Sequence, residues 1–434
     1  MPAPDPPSIL SPRSSPDPPS TRNAPDDAAT TSRRALLATV GAGVIAGIAG
    51  CSTLQGGDDP DPYHHGDWRT FGAGPRNRNR VDGGAPEPTG FDRLASGEWV
   101  HVPPVVQDGT VYFAAGREVR ALSPAAAVPD REAWSQSLNA EVSGAPALDP
   151  ERGRLYVPTR TVRTTDAPDP APASLTALSM RDGSIVGSVR VGDRATYGVT
   201  VADGDCYVRG ATACVRLDPD GGERWRRPLD PLIYDEYNLG DSTATQIVPA
   251  VAGDAVLVPD RDALVCIDRE RGTERWRVPV DTPYAAAVVE SNGVIQTGWQ
   301  ETVAVDLAGE VRWRRDLHSR APAAAADGDV YVAARDLHEL DPGSGETTWQ
   351  AHLPSEGTAA PVATDDDVLV ASGDLRAYRR DLDGLLKPDR VRWRYDGVHA
   401  TTYSSPVIAA GRVLVASPSG LVAIRAVDAP NGSE

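Results

Sequence analysis

Residues 253–276 read GDAVLVPDRDALVCIDRERGTERW. A short apolar run (Val256, Leu257, Val258) gives way to a polar turn, and a second apolar run ends in Asp268. A turn at Gly272 follows, and Trp276 closes the unit. Two β-type runs joined by turn residues predict a hairpin. The phrase returns as GDVYVAARDLHELDPGSGETTW at 328–349 and as GDCYVRGATACVRLDPDGGERW at 204–225. Self-similarity at a period of roughly 35 to 50 residues marks repeated supersecondary units.

Eight units can be followed. The first carries Pro104-Val105-Val106 and Val111-Tyr112-Phe113 and ends at Trp134. The second has Ile185 and Val186 where the tryptophan strand belongs. The third to seventh end at Trp225, Trp276, Trp313, Trp349 and Trp393. The eighth runs to Ile424 and stops without a tryptophan strand, whereas Trp99 is such a strand with no unit before it. Pairing the Trp99 strand with the eighth unit closes the array, which is how repeated β-sheets avoid exposed edges. The expected fold is all-β: an eight-bladed β-propeller of four-stranded antiparallel blades, closed by an N-terminal strand. Six tryptophans at one register predict that each wedges its apolar area between neighbouring blades.

Composition narrows the function. The net charge of −18 over 434 residues argues against a nucleic-acid partner, because phosphate binding needs clustered cations. All but one of the 43 basic residues are arginine, Lys387 being the exception. High Asp and Glu with almost no Lys resembles proteins of salt-loving archaea, and a GC-rich genome is the alternative source of that bias. The four cysteines, Cys51, Cys206, Cys214 and Cys266, form no CxxC or CxxCH. Cys206 and Cys214 flank Gly210 symmetrically, so a cross-strand disulfide and two buried free thiols both stay open.

The first 30 residues, rich in Pro, Ser, Asp and Ala, have little to bury and read as disordered. Arg33-Arg34 then precedes an apolar run at 35–49 that is too short for an ordinary membrane span. With Ser32, Leu36 and Leu37 it resembles a twin-arginine export signal, although Ala35 departs from the commoner Phe. The run ends in Ile48-Ala49-Gly50-Cys51, which resembles a lipobox. That resemblance implies cleavage before Cys51, lipid on its thiol, and a protein held on the outer face of the cytoplasmic membrane. Cleavage removes four arginines and four aspartates, so the charge stays at −18. The expected organisation is 1–50 leader and signal, 51–66 flexible tether, and 67–428 propeller. His64-His65 in the acidic tether reads as solvated rather than metal-binding.

The pattern Ser-Pro-Val…Gly-x-Val-Tyr-Val…Ala-Leu-Asp…Gly…Trp resembles the pyrroloquinoline-quinone (PQQ)-like propeller repeat over about residues 99–425. That family includes quinoprotein alcohol dehydrogenases and BamB-type assembly lipoproteins, and the polar segment at 67–88 resembles the lead-in before its first blade. The enzymatic branch implies PQQ and calcium near the axis, metal-binding carboxylates and an Asn, an Asp base and a pair of adjacent cysteines. This chain has no adjacent cysteines and no stretch that matches the calcium ligands. Asp268 and Asp341 sit in repeat turns, where turn capping is the expected role. The reading taken is a non-catalytic scaffold with no cofactor or metal, a monomer with a protein partner at the cell surface. A PQQ-dependent dehydrogenase or a glycan- or polymer-binding module is the alternative.

In such a propeller the strands run A to D from the axis outward. B–C loops and D-to-A connections then share one face. Two long insertions fall there: RTVRTTDAPDPAPAS at 160–174 and DPLIYDEYNLGDSTATQ at 230–246. The connection at 396–402, with His399, joins them. Long connections are often functional. Tyr234, Asp235, Glu236 and Tyr237, with His399, are therefore the candidate binding-face residues.

Overall fold

The computed structural model describes residues 66–96, 102–126, 130–161, 172–193, 195–232, 246–291, 293–380, 390–396, 404–417 and 420–426. Cys51, Arg33, Arg34, Trp99, Tyr234, Asp235, Glu236, Tyr237 and His399 lie outside them.

The quoted stretch forms three strands, Ala255–Asp268 being a hairpin of Ala255–Asp260 and Ala263–Asp268, with Glu274–Pro279 beside it. Leu257 faces Cys266, and Cys266 faces Trp276 across the next ladder. Ala250–Ala252 adds the inner strand and completes a four-stranded antiparallel blade. Both hairpin strands are buried throughout, as expected of strands covered on both faces by neighbouring blades. The unit recurs eight times as an eight-bladed propeller. In the second blade the inner strand is split into Glu141–Val142 and Ala147–Asp149.

The ring is closed by a strand earlier than the sequence suggested. Pro88–Ser96 pairs antiparallel with Gly420–Ala426 as the outer strand of blade eight, and Trp99 lies outside the described residues. Phe91 faces Ile424 and Arg93 faces Val422, with register shifts on either side. Only Leu94 and Ala95 of this strand are buried, so its apolar periodicity is faint.

The polar lead-in does more than precede the first blade. Residues 66–81 run round the inner strands and bond to the blades in turn. Gly66 accepts from the Ala410 N–H of blade eight (3.1 Å), and Trp68 exchanges two bonds with Val106 of blade one. The Arg69 carbonyl accepts from Leu148 of blade two, and the Thr70 hydroxyl reaches Val199 of blade three. The carbonyls of Pro75, Arg76, Arg78 and Asn79 accept from Val251, Val289, Ala325 and Ala363, in blades four to seven. The segment is thus a collar around the axis. Its tight path uses left-handed backbone at Ala73, Asn77 and Asn79 (φ 70, 55 and 51°), and asparagine tolerates that region better than most residues.

Candidate functional site

In the PQQ-like family the axis is where a cofactor would lie, and here the chain itself fills it. Phe71, 1% exposed, packs with Ala145, Val248 and Ala286 from blades two, four and five. Asn77 donates its amide to the carbonyls of Val248 (3.2 Å) and Ala287 (3.3 Å), and Asn79 donates to Ala323 (2.9 Å). The alternating arginines turn outward to carboxylates in the A–B turns. Arg78 lies 3.6 Å from Glu290, and Arg80 lies 3.5 Å from Asp327 and 2.9 Å from Asp365. Buried Gln246 of blade four donates to the Thr358 carbonyl of blade seven (2.7 Å). These residues do not fit a quinone with calcium, because the aromatic side chain, the small inner-strand residues and the crossing amide take its place. Among the described residues no three His, Cys, Asp or Glu side chains gather as metal ligands.

The repeat's own polar residues are occupied structurally. Asp268 Oδ1 accepts from the backbone N–H groups of Glu270 and Arg271, and Asp341 Oδ1 accepts from Gly343 and Ser344. The Arg275 guanidinium holds the Asp268 carboxyl below the usual carboxylate range, helped by those N–H groups. The Ser344 backbone and hydroxyl do the same for Asp341. Both aspartates cap turns, with their charge already spent. Cys206 pairs with Leu217 and Cys214 with Arg209, so the two do not face each other, and both are free. Burial pushes the Cys206 thiol up and raises Cys214 and Cys266 to about 12, which leaves three inert thiols.

Trp134, Trp225, Trp276 and Trp313 donate their indole N–H groups to carbonyls of the next blade, at Met180, Arg269, Leu307 and Pro342. Gly183, Gly272, Gly309 and Gly345 lie under these rings. Trp349 instead meets Tyr378 and Arg390 of blade seven, and Trp393 packs into the cluster shared with blade eight. In blade two Ile185 and Val186 are exposed, and Val189 docks over Gly221 in the tryptophan's place.

The described parts of the long connections begin and end on the B–C face. Asp230 accepts from buried Arg209 (3.1 Å) and donates its N–H to Asp260 (2.8 Å), which anchors the start of the blade three-to-four connection. Sequence reasoning missed another group on this face. Trp299, in the B–C turn of blade five, is 39% exposed. Its ring meets Tyr284 (5.3 Å between centroids), His318 (4.7 Å, edge-on) and the Arg320 guanidinium (5.0 Å). The turn is mounted on backbone: the Trp299 N–H bonds the carbonyls of Asp281 and Thr282. The signal available was its register, since among the tryptophans after Trp99 it alone stands outside the repeat position.

The family model described as outer membrane protein assembly factor BamB matches residues 211–308 and 299–434. No curated protein matches the sequence. BamB from Moraxella catarrhalis has a similar structure, with a TM-score of 0.60 at 14% identity over 81% of this chain and 100% of that chain. Quinohemoprotein alcohol dehydrogenase from Comamonas testosteroni gives 0.60 at 13% identity, over 82% and 80%. The computationally designed Ika8 protein gives 0.57 at 12%, over 79% and 100%. At such identities these structures speak for the fold alone. With just over half of its residues matched, the chain belongs to the PQQ-repeat family described as outer membrane protein assembly factor BamB.

Proposed function

We propose that the protein is a non-catalytic interaction scaffold, exported through the Arg33-Arg34 signal and anchored by lipid on Cys51 to the outer face of the cytoplasmic membrane. Similar folds serve both an assembly factor and a dehydrogenase, so fold alone does not choose between them. The observation that supports the scaffold reading is the axis, which Phe71, Asn77 and Asn79 occupy with packing and hydrogen bonds to the inner strands. Among the described residues, the inert thiols and turn-capping aspartates singled out above supply no nucleophile or base. The partner is a protein, met by a monomeric propeller on the face that carries the long connections.

The test compares the full chain with a variant lacking residues 233–239, both cross-linked in intact membranes and purified alike. The expected result is one protein recovered with the full chain and lost with the variant, at an unchanged melting temperature. Equal recovery from both would contradict the assignment of the face.

A further inference from the structure

We propose that Trp299 is the centre of a binding site for a neutral saccharide, independent of the protein partner proposed above. The ring is held rigidly before any ligand arrives. Gly298 allows its turn to approach the next connection, since a Cβ there would lie 2.5 Å from the Asp281 carbonyl oxygen. The Trp299 N–H bonds to Asp281 (3.0 Å) and Thr282 (3.1 Å), and His318 Nδ1 bonds to the Trp299 carbonyl. Thr282 takes a φ of 45°, a strained conformation for a β-branched residue, and such strain gathers at ligand sites.

The surroundings select the ligand's chemistry. The other exposed large apolar residues among those described, Phe91, Ile185, Val186 and Val311, lie on outer strands away from this turn. Trp299 is therefore an isolated aromatic surface ringed by polar groups. A protein interface calls for a contiguous patch of about 800 Å² per partner with an apolar core, and among the described residues Trp299 has no exposed large apolar neighbour. The charged groups around the ring are bonded mainly to one another. Arg314 pairs with Glu301 (2.7 Å), and His318 with Glu356 (3.0 Å), with Arg320 3.9 Å from the same carboxylate. These contacts hold the hydrogen-bonding side chains in place. One apolar surface with a rim of fixed donors and acceptors matches a sugar ring, which has an apolar face and hydroxyls around its edge.

Calorimetric titration of the purified chain with mannotriose, cellotriose, laminaritriose and triacetylchitotriose tests the proposal. At least one is expected to bind saturably, Trp299→Ala to weaken it tenfold or more, and Trp299→Phe to weaken it less. Melting curves of both variants are recorded beside the titrations, and Trp299→Phe, which keeps an aromatic ring on Tyr284 and His318, separates lost binding from lost folding. No binding by any of the four, or equal binding by Trp299→Ala, overturns the proposal. Loss of the cross-linked protein partner in Trp299→Ala, with no sugar bound, would overturn it in favour of a protein contact.

Discussion

Gly272 lies in the C–D turn of blade four with a φ of 68°, and a Cβ there would sit 2.6 Å from Cγ of Trp225. The indole N–H of Trp225 meanwhile bonds the Arg269 carbonyl in the same turn (2.8 Å). Glycine is required twice over, by the left-handed backbone and by the ring lying on it. Gly272→Ala should cost about 2–4 kcal/mol, combining backbone strain with overpacking, read as a lower midpoint of urea unfolding. A midpoint within error of wild type would show that the tryptophan and glycine are not coupled. In the sequence the glycine and the tryptophan are both plain, and each unit suggests that they serve each other. The structure pairs Trp134, Trp225, Trp276 and Trp313 with the glycine of the following unit. One repeat read alone cannot show this, because the contact exists only after the ring has formed. Ile185 and Val186 do open the outer strand of blade two, but without a tryptophan to mark the register, Val189 over Gly221 could not be picked out.

The collar at 66–81 was hardest to read. Its Gly, Asn and Arg content has no apolar period, and by composition it passes for a linker. Its order comes from backbone groups bonded to seven blades, with Thr70 supplying a side-chain bond to the remaining one. Composition carries no trace of such bonding. Trp68 and Phe71 are the buried aromatics that betray it, and Phe71→Ala should destabilise the propeller by about 3–5 kcal/mol, the usual range for emptying a buried aromatic site. Chemical denaturation would measure this, and a loss below about 1 kcal/mol would mean that the axis is not packed as described. The closing strand shows the same limit. Pro88–Ser96 has a mostly half-exposed pattern because the outer strand of a blade has only one covered face.

The ring as a whole was legible, because eight unequal copies of one phrase average out the ambiguity of each. An unmatched strand at one end and a missing strand at the other then implied closure. Function was less so, since repeat residues such as Asp268 and Cys266 are consumed by turns and packing. The scaffold reading rests on the content of the axis, and that content is supplied by a segment outside the repeats. Titration of the purified protein with PQQ in the presence of calcium, followed by calorimetry and by melting temperature, tests this most directly. A ligand held at 100 times its Kd would stabilise the fold by about 2.7 kcal/mol. A filled axis predicts no heat beyond dilution and no change in melting temperature, whereas saturable binding of one PQQ per chain with a raised melting temperature would contradict it.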